Sequence, residues 1–231
     1  MNENYKSLEE KIEITFKNKA ALKNAFIHKS YVNEHRDEGI HPNERLEFLG
    51  DAVLELVATK HLFEVCPDKD EGEMTAFRSA LVKGKHLAEI SAELGLGEYL
   101  FLSHGEEKSG GRKKNYILAN TLEALIGAIY VEHGYEKADK FIEKFILTKL
   151  DEIIEKGLHI DAKSRFQEIC QEVESITPHY EVIEEYGPDH NKNFVVGAYI
   201  GDELIAKGQG SSKQKAENEA ALNALQAKRW S

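Results

Sequence analysis

The chain has 231 residues, of which 41% are hydrophobic and 31% charged, so it can bury one large core or two modest ones. Its formal net charge of −11 argues against a uniformly basic surface, so nucleic-acid binding would need local basic clusters or cations held by acids. No apolar run reaches membrane-spanning length, and the first residues lack the features of a signal peptide, so we expect a cytoplasmic protein without membrane partners.

Residues from Ser7 to about Glu155 are predicted to form helices. Apolar residues recur there at spacings of three and four, which is typical of helices packed around a core. The pattern breaks at four segments: 37–42, 66–72, 95–97 and 104–114. The last break contains the run Arg112, Lys113 and Lys114, which indicates either a mobile basic loop or a solvated connector.

The stretch NERLEFLGD, residues 43–51, introduces a helix with acids on one stripe and apolar side chains on another. Glu44, Glu47 and Asp51 fall at i, i+3 and i+7, so their charges repel one another. The apolar stripe is predicted to contain four side chains: Leu46, Leu49, Val53 and Leu56. The acidic stripe therefore predicts a functional use for the acids.

A second acid lies in a helix that is expected to be buried. The stretch NYILANTLEALIGAIYV, after Lys114, carries a single charge, Glu123, and Asn120 lies three residues earlier on the same face. Burying an unpaired carboxylate costs on the order of several kcal/mol. Oxygen ligands from two packed helices suit Mg²⁺ or Mn²⁺. The predicted ligands are Glu47, Asp51, Asn120 and Glu123.

Ion pairing is the alternative explanation for these acids. Glu47 could pair with Arg45 or Arg78, and Glu123 could cap a neighbouring helix. Spacing alone does not distinguish such pairs from a metal site, because both place carboxylates at partly buried positions.

The motif NERLEFLGD resembles the signature of the ribonuclease III family, and three further stretches match that family in order and spacing. These are LKNAFIHKSYVNE at 22–34, DEGEMTAFRSALV at 70–82 and ILANTLEALIGAIY at 117–130. The resemblance extends from about residue 8 to the end of the chain. It implies an all-α nuclease domain followed by a small α+β domain of order α-β-β-β-α.

The resemblance assigns roles to the acids. Glu47, Asp51, Asn120 and Glu123 are expected to bind Mg²⁺, with Mn²⁺ as a substitute, and Asp51 and Glu123 are expected to be the catalytic pair. Glu44 and Glu71 are expected to line the same cleft nearer the RNA, with structural support as the competing role. Phe48 is expected at a homodimer contact; in a monomer it would be core.

Asn120 departs from the bacterial pattern, which normally has Asp at this position. An amide oxygen can coordinate Mg²⁺, but a neutral ligand attracts the ion less strongly, and the amide nitrogen could turn inward instead. The substitution is either a natural variant or an engineered change that weakens cleavage.

After residue 157 the apolar pattern changes from purely helical to a mixture of helical and strand-like spacing. We predict a helix over 161–173 with Phe166, Ile169, Cys170 and Val173 inward, strands over 179–187, 193–201 and 202–208, and a helix over 211–229. This order indicates a second α+β domain, with boundaries at 1–155 and 159–231.

The second domain resembles a double-stranded RNA-binding domain, most clearly in GQGSSKQKAENEAALNAL. Gly208 and Gly210 are expected to allow a sharp entry to the last helix, which Ser211 or Ser212 can cap. Lysines at a helix start are mildly unfavourable unless an anion is present, and RNA phosphate would supply one. The residues expected to bind RNA here are Gln167, Glu168, His190, Ser212, Lys213 and Lys215.

Together the residues and the resemblance predict an Mg²⁺-dependent endoribonuclease that cleaves double-stranded RNA and leaves 5′-phosphate and 3′-hydroxyl ends. The resemblance also implies that it acts as a homodimer. Precursors of ribosomal RNA and structured messenger RNA are the substrates that the resemblance implies. Two other classes stay open. One is a catalytically weak double-stranded RNA-binding protein, in which Asn120 disables metal loading. The other is a metal-dependent hydrolase of nucleotides or other phosphate esters, which would have no use for the second domain.

Overall fold

A computed structural model of the chain describes residues 5–36, 39–155, 162–188 and 192–230. The chain forms two compact units, residues 1–159 and 160–231. The helices of the first unit are α1 (Lys6–Ile12), α2 (Lys19–Asn24), α3 (Lys29–Glu34), α4 (Glu44–Val65), α5 (Glu71–Leu81), α6 (Gly84–Leu94), α7 (His104–Lys108), α8 (Asn115–His133), α9 (Tyr135–Phe145) and α10 (Leu150–Glu155). Within the described ranges, no helix has the length and apolar character needed to cross a bilayer.

Helix α8 lies at the centre of the first unit, as its nearly continuous apolar sequence predicts. Leu122, Leu125, Ile126 and Ile129 are all 0% exposed. The helix packs against α2, α4, α6 and α9, and its contact with α4 is the most extensive. Each turn of α8 therefore buries apolar area, which stabilises the helix through packing rather than through its intrinsic propensity.

The segment 104–114 is more ordered than a loop. It contains the short helix α7, capped by the Ser103 side chain, and a 3₁₀ turn at Gly111–Lys113. Arg112 forms two hydrogen bonds to Glu107, at 2.5 and 2.7 Å, and Lys114 donates to Glu106 at 2.6 Å. The prediction of a loop was therefore wrong for much of this segment, and two of its three consecutive cations are engaged within the protein.

The second unit contains α11 (Ala162–Val173), β1 (His179–Tyr186), β2 (Asn193–Ile200), β3 (Glu203–Gly210) and α12 (Lys213–Lys228). The strands form an antiparallel sheet in the order β1-β2-β3. Phe166 and Cys170 are buried in its core as predicted, whereas Val173 is 59% exposed and that part of the prediction was wrong. The predicted fold class, a helical unit followed by a unit of order α-β-β-β-α, is confirmed.

Strand β3 approaches α12 closely because it carries glycines. A Cβ atom on Gly208 would lie 2.1 Å from the backbone nitrogen of Ala220, and one on Gly210 would lie 2.6 Å from that of Ala216. Both glycines belong to β3 and neither has positive φ. Their role is close packing of strand on helix rather than the sharp helix entry that the sequence suggested.

Candidate active site and RNA-binding surface

Two glycines bring the backbones of α4 and α8 into direct contact. A Cβ atom on Gly50 would lie 1.8 Å from the carbonyl oxygen of Glu123. One on Gly127 would lie 2.2 Å from the carbonyl oxygen of Leu46. Only glycine fits at either position, and the close crossing faces the acids of α4 towards Asn120 and Glu123 of α8.

The carboxylates at this crossing disfavour one another's charge. Burial, and then the negative charges of Asp51 and Glu47, together raise the pKa of Glu123 to about 7. Burial also raises the pKa of Glu47, and a hydrogen bond from Asn120 partly opposes that change. Glu47, Asp51 and Glu123 therefore act on one another electrostatically.

Asn120 binds Glu47 directly. Its Nδ2 donates a hydrogen bond of 2.8 Å to Oε1 of Glu47. The amide thus presents nitrogen rather than oxygen to the neighbouring carboxylate, which is the orientation that a cation would not favour. Rotating the amide by half a turn would present the oxygen to the same space.

The ion-pair alternative does not account for these acids. Arg78 pairs with Glu55 at 3.0 Å and donates to Thr59 at 2.9 Å, so its partner is not Glu47. In the ranges that the structure describes, no lysine or arginine forms an ion pair with Glu47, Asp51 or Glu123, and Glu123 caps no helix.

The oxygen atoms of Glu47, Asp51, Asn120 and Glu123 are chemically suited to a divalent cation, but these side chains would have to move to coordinate one. Across the described residues, no three Asp, Glu, His or Cys side chains converge closely enough to hold a metal ion as they stand. Three mutually repelling carboxylates and one amide oxygen are nevertheless the hard ligands that Mg²⁺ binds. A cation between α4 and α8 would also remove the repulsion that raises the pKa of Glu123.

The two acids expected nearer the RNA lie in different places. Glu44 is exposed at the start of α4 and pairs with Lys29 at 3.4 Å. Glu71, the first residue of α5, lines an apolar pocket at the other end of α4, beside Thr59 and Phe63. Thr59, the residue of this pocket nearest the start of α4, lies eight residues from Asp51 and twelve from Glu47, which correspond to about 12 and 18 Å of helix. Within one chain, Glu71 therefore lies at a pocket about two turns of α4 or more from these acids.

Helix α4 has an outward apolar stripe as well as an inward one. Phe48, Leu56 and Phe63 are exposed by 81%, 57% and 74%, and they lie about two turns apart. Of the apolar stripe predicted from sequence, Val53 is buried, whereas Leu56 is exposed and lies with Phe48 and Phe63. Exposure of Phe48 also excludes the alternative in which it belongs to the core of a monomer.

Four of the six predicted RNA-binding residues of the second unit lie at exposed positions on α11 and α12. The Ser212 side chain caps α12 by accepting from the Lys215 backbone N–H at 3.3 Å, and Lys213 and Lys215 follow it with exposed side chains. Gln167 and Glu168 are exposed on α11. His190 lies outside the described residues.

The start of α12 already has an anion close to it. Lys213 Nζ lies 3.3 Å from Oε1 of Glu185, and Lys192 Nζ lies 2.7 Å from Oε2 of the same carboxylate. Hydrogen bonds from Lys192 and Lys213 lower the pKa of Glu185. The sequence argument looked only to RNA phosphate to balance lysines at this helix start, and the protein supplies a carboxylate of its own.

Sequence reasoning missed Gly50 and Gly127, although a signal for them exists. A glycine inside a helix costs about 1 kcal/mol relative to alanine, so two of them in packed apolar helices indicate a close backbone approach. It also missed Glu185 and Lys192, whose proximity depends on strand register and is invisible in a linear pattern.

Comparison with known proteins gives consistent matches over both units. The Ribonuclease-III-like family matches residues 18–150, and the double-stranded RNA binding motif matches residues 162–228. Ribonuclease 3 of Listeria monocytogenes is 41% identical over 224 residues, which cover 96% of each chain. Ribonuclease 3 of Carboxydothermus hydrogenoformans is 44% identical over 224 residues, covering 97% of this chain and 95% of that protein.

A solved structure matches the first unit. It is the nuclease domain of ribonuclease III from Campylobacter jejuni, described for flexibility in a region involved in its dimer formation. The match has a TM-score of 0.58 at 41% identity and covers 63% of this chain and 97% of that chain.

Proposed function

Because this chain belongs to the ribonuclease III family and is an endoribonuclease with a double-stranded RNA-binding domain, we propose that it hydrolyses double-stranded RNA with Mg²⁺ as cofactor. Its products carry 5′-phosphate and 3′-hydroxyl ends. Its substrates are precursors of ribosomal RNA and structured messenger RNA in the cytoplasm. The observation that carries the proposal is the backbone contact of α4 with α8, where the charges of Glu47 and Asp51 act on Glu123 and none of the three carboxylates forms an ion pair with a described lysine or arginine.

In this proposal Glu47, Asp51, Asn120 and Glu123 hold the cation, and Asp51 and Glu123 stand closest to the reaction. A divalent cation supplies a water of lowered pKa and a counter-charge for the phosphodiester. Glu123 and Asp51 would hold the cation and offset part of its charge, and Glu123 does so from a partly buried position on α8. Lys213 and Lys215 hold RNA phosphates, while Gln167, Glu168 and His190 reach its minor grooves.

A catalytically weak RNA-binding protein is the second candidate, and the hydrogen bond from Asn120 to Glu47 favours it. That bond occupies Glu47 and turns the amide oxygen away. A cation must break it and also bind with one negative charge fewer than an aspartate would supply. Weak loading of Mg²⁺ would leave RNA binding intact and cleavage slow.

Replacing Asn120 with Asp separates the two candidates. We expect Asn120→Asp to cleave a perfect RNA duplex at a half-saturating Mg²⁺ concentration about tenfold lower than wild type, because the added charge attracts the cation. The measurement is a cleavage time course at increasing Mg²⁺, repeated with Mn²⁺. Wild-type cleavage that saturates at high Mg²⁺ supports the enzyme; wild-type chain that binds duplex but never cleaves it supports the weak binder.

Asn115→Asp is the matched control for Asn120→Asp, since it makes the same chemical change at an exposed position on α8. It should leave the Mg²⁺ dependence unchanged. Equal half-saturating concentrations for Asn120→Asp and wild type would contradict a ligand role for position 120.

We propose that the chain forms a homodimer through the outward stripe of α4, namely Phe48, Leu56 and Phe63. Exposed apolar patches of this kind mark interaction sites, and a twofold interface needs a surface that complements itself. The stripe offers a projecting Phe48 near one end of α4 and, near the other, an apolar pocket. That pocket is lined by Thr59, Leu62, Phe63, Glu71, Met74, Thr75 and Arg78.

Antiparallel pairing of two α4 helices would insert Phe48 into the pocket of the other protomer. Because Phe48 adjoins Glu47, the same pairing would bring the partner's Glu71 towards the acids at the helix crossing. The dimer therefore accounts for the cleft position expected of Glu71, which one protomer does not supply.

Phe48→Glu is expected to dissociate the dimer, because it places a charge where an apolar side chain would be buried. Sedimentation at increasing protein concentration should show a dissociation constant raised at least about tenfold, since burial of a Phe side chain contributes about 2 kcal/mol. Val173→Glu, an exposed apolar residue of the second unit, is the control and should sediment like wild type. A dimer unaffected by Phe48→Glu would refute this interface.

A further inference from the structure

Glu185, Lys192 and Lys213 form a cluster made by three separate elements. Glu185 lies near the end of β1, Lys192 immediately precedes β2, and Lys213 is the first residue of α12. The carboxylate bridges the two ammonium groups at 2.7 and 3.3 Å, one on each oxygen. Phe194, the cross-strand partner of Glu185, lies beneath Lys213, with the ammonium 5.6 Å from the ring centre.

With Glu185 between the two lysines, the cluster has a net charge of +1; without this carboxylate it would have +2. Lys213 is 58% exposed and Glu185 33%, so the pair faces solvent and stays accessible to a ligand. An exposed ion pair contributes only about 0–1 kcal/mol to stability. The fold therefore does not depend on this carboxylate, and its presence among lysines at the start of α12 needs another explanation.

We propose that Glu185 is an internal competitor of RNA: its carboxylate occupies Lys192 and Lys213 in the free protein, and an RNA phosphate must displace it to bind them. The inference rests on the proposed function of the α12 lysines. It also assigns Lys192, which no motif singled out, as a second phosphate-binding cation beside Lys213.

Glu185 acts as a competitor of RNA rather than as a residue that holds the two lysines in place. Lys213 is held by its place at the start of α12, after the Ser212 cap, and by its contact with the Phe194 ring. It keeps both in the absence of the carboxylate. What Glu185 adds is a negative charge within 3.3 Å of an ammonium that meets a polyanion. A carboxylate near a bound phosphate repels it and so weakens phosphate binding. Breaking the ion pair between Glu185 and the lysines also costs free energy, which offsets part of the gain from each new lysine–phosphate contact.

The test is duplex RNA binding by the full chain carrying Glu185→Gln, in EDTA so that no divalent cation supports cleavage. Gln keeps the shape of the side chain and removes its charge. Fluorescence anisotropy should show affinity at low salt raised by about threefold to tenfold, because up to one further phosphate contact is gained. The slope of log affinity against log salt should steepen by about 0.9, so the gain falls about threefold between about 50 and 200 mM salt.

Two controls separate competition from a general charge effect. Glu181→Gln removes the same charge from the same strand, where the carboxylate pairs only with His179 among the described side chains, and should change affinity much less. In a Lys192→Ala, Lys213→Ala background, Glu185→Gln should produce no gain. Unchanged or weaker binding by Glu185→Gln, an equal gain with Glu181→Gln, or a gain that persists without the two lysines would each overturn the proposal.

Failure of the proposed function would look different. If Lys213→Ala and Lys215→Ala together retained wild-type duplex affinity and salt slope, the RNA-binding role of α12 would be wrong, and the competitor with it. If those variants weaken binding and Glu185→Gln does not strengthen it, only the inference about Glu185 falls.

Discussion

Replacing Glu123 with Gln is expected to abolish RNA cleavage while duplex binding in EDTA is retained. The rate should fall by at least about 10³-fold, equivalent to about 4 kcal/mol, because the proposed cation loses a charged ligand next to the reaction. Gln has the shape of a protonated Glu, and the side chain lies in the helix crossing rather than on α11 or α12. Single-turnover cleavage and anisotropy on the same duplex measure the two effects.

The same variant should stabilise the metal-free protein at high pH. The pKa of Glu123 is raised from 4.5 to about 7 in the folded chain, mainly by burial. Between these values the unfolded chain is ionised and the folded chain is still protonated, so stability is lost as pH rises through the folded pKa. Glu123→Gln cannot ionise and escapes this loss. Denaturant unfolding in EDTA should show a gain that is larger at about pH 8 than at about pH 5.5.

Glu143→Gln, an exposed acid on α9, is the control for both measurements and should match wild type in cleavage and in the pH dependence of stability. Turnover near the wild-type rate by Glu123→Gln would remove Glu123 from the proposed active site. Lost cleavage without the stability gain would leave its burial and repulsion in doubt.

Replacing Gly50 with Ala is expected to unfold the first unit partly or to separate its two central helices. The new methyl group would lie 1.8 Å from a backbone oxygen of Glu123, against an ordinary contact of 3.4 Å or more. Because the obstacle is backbone, no rotamer change relieves it, and we expect a loss of about 3 kcal/mol or more. A chain that stays folded by moving α4 about 1.5 Å away should cleave RNA at least about 10²-fold more slowly.

Thermal unfolding and cleavage of a duplex at saturating Mg²⁺ test this prediction. Gly105→Ala is the matched control, since it lies in the short helix α7 with nothing within 4 Å of its Cβ and without positive φ. That control should unfold at or slightly above the wild-type temperature. Wild-type stability and activity in Gly50→Ala would show that the two backbones are not in contact.

The meeting of α4 acids with Asn120 and Glu123 was predictable from sequence because acids stand out in apolar helices. Helical spacing placed Glu47 and Asp51 on one side of α4, and Glu123, the single charge in residues 115–131, was expected to meet a polar or cationic partner rather than apolar core. The crossing geometry was not predictable in the same way. It depends on Gly50 and Gly127 meeting backbone from another helix, which periodicity does not report.

Two features of α4 could not be predicted from sequence patterns, namely which apolar face meets a partner and which acid pairs with Arg78. Helical spacing grouped Leu56 with Leu46, Leu49 and Val53 on one apolar stripe. The exposure of Leu56 beside Phe48 and Phe63 gives the helix a second apolar face, and a single sequence does not say which face belongs to a partner. Likewise Arg78 could reach several acids, and only the packing of α5 on α4 selects Glu55.

The RNA-binding unit was predicted closely where local chemistry decides the structure. The cap at Ser212 follows from a side chain that favours helix starts. The ion-pair partner of Lys213 was not predicted, because Glu185 is twenty-eight residues away in sequence and reaches Lys213 only through the pairing of β1 with β2.

The direct backbone contact between α4 and α8 also limits the structural change that binding of the proposed cation would require. Main-chain atoms set the spacing of the helices, so their axes are preorganised and only side-chain torsions remain to be adjusted. Loading of the proposed cation would then chiefly require electrostatic changes, in which Glu123 loses its proton and the Asn120 amide rotates. The affinity for that cation should accordingly depend on proton concentration far more than on any rearrangement of the fold.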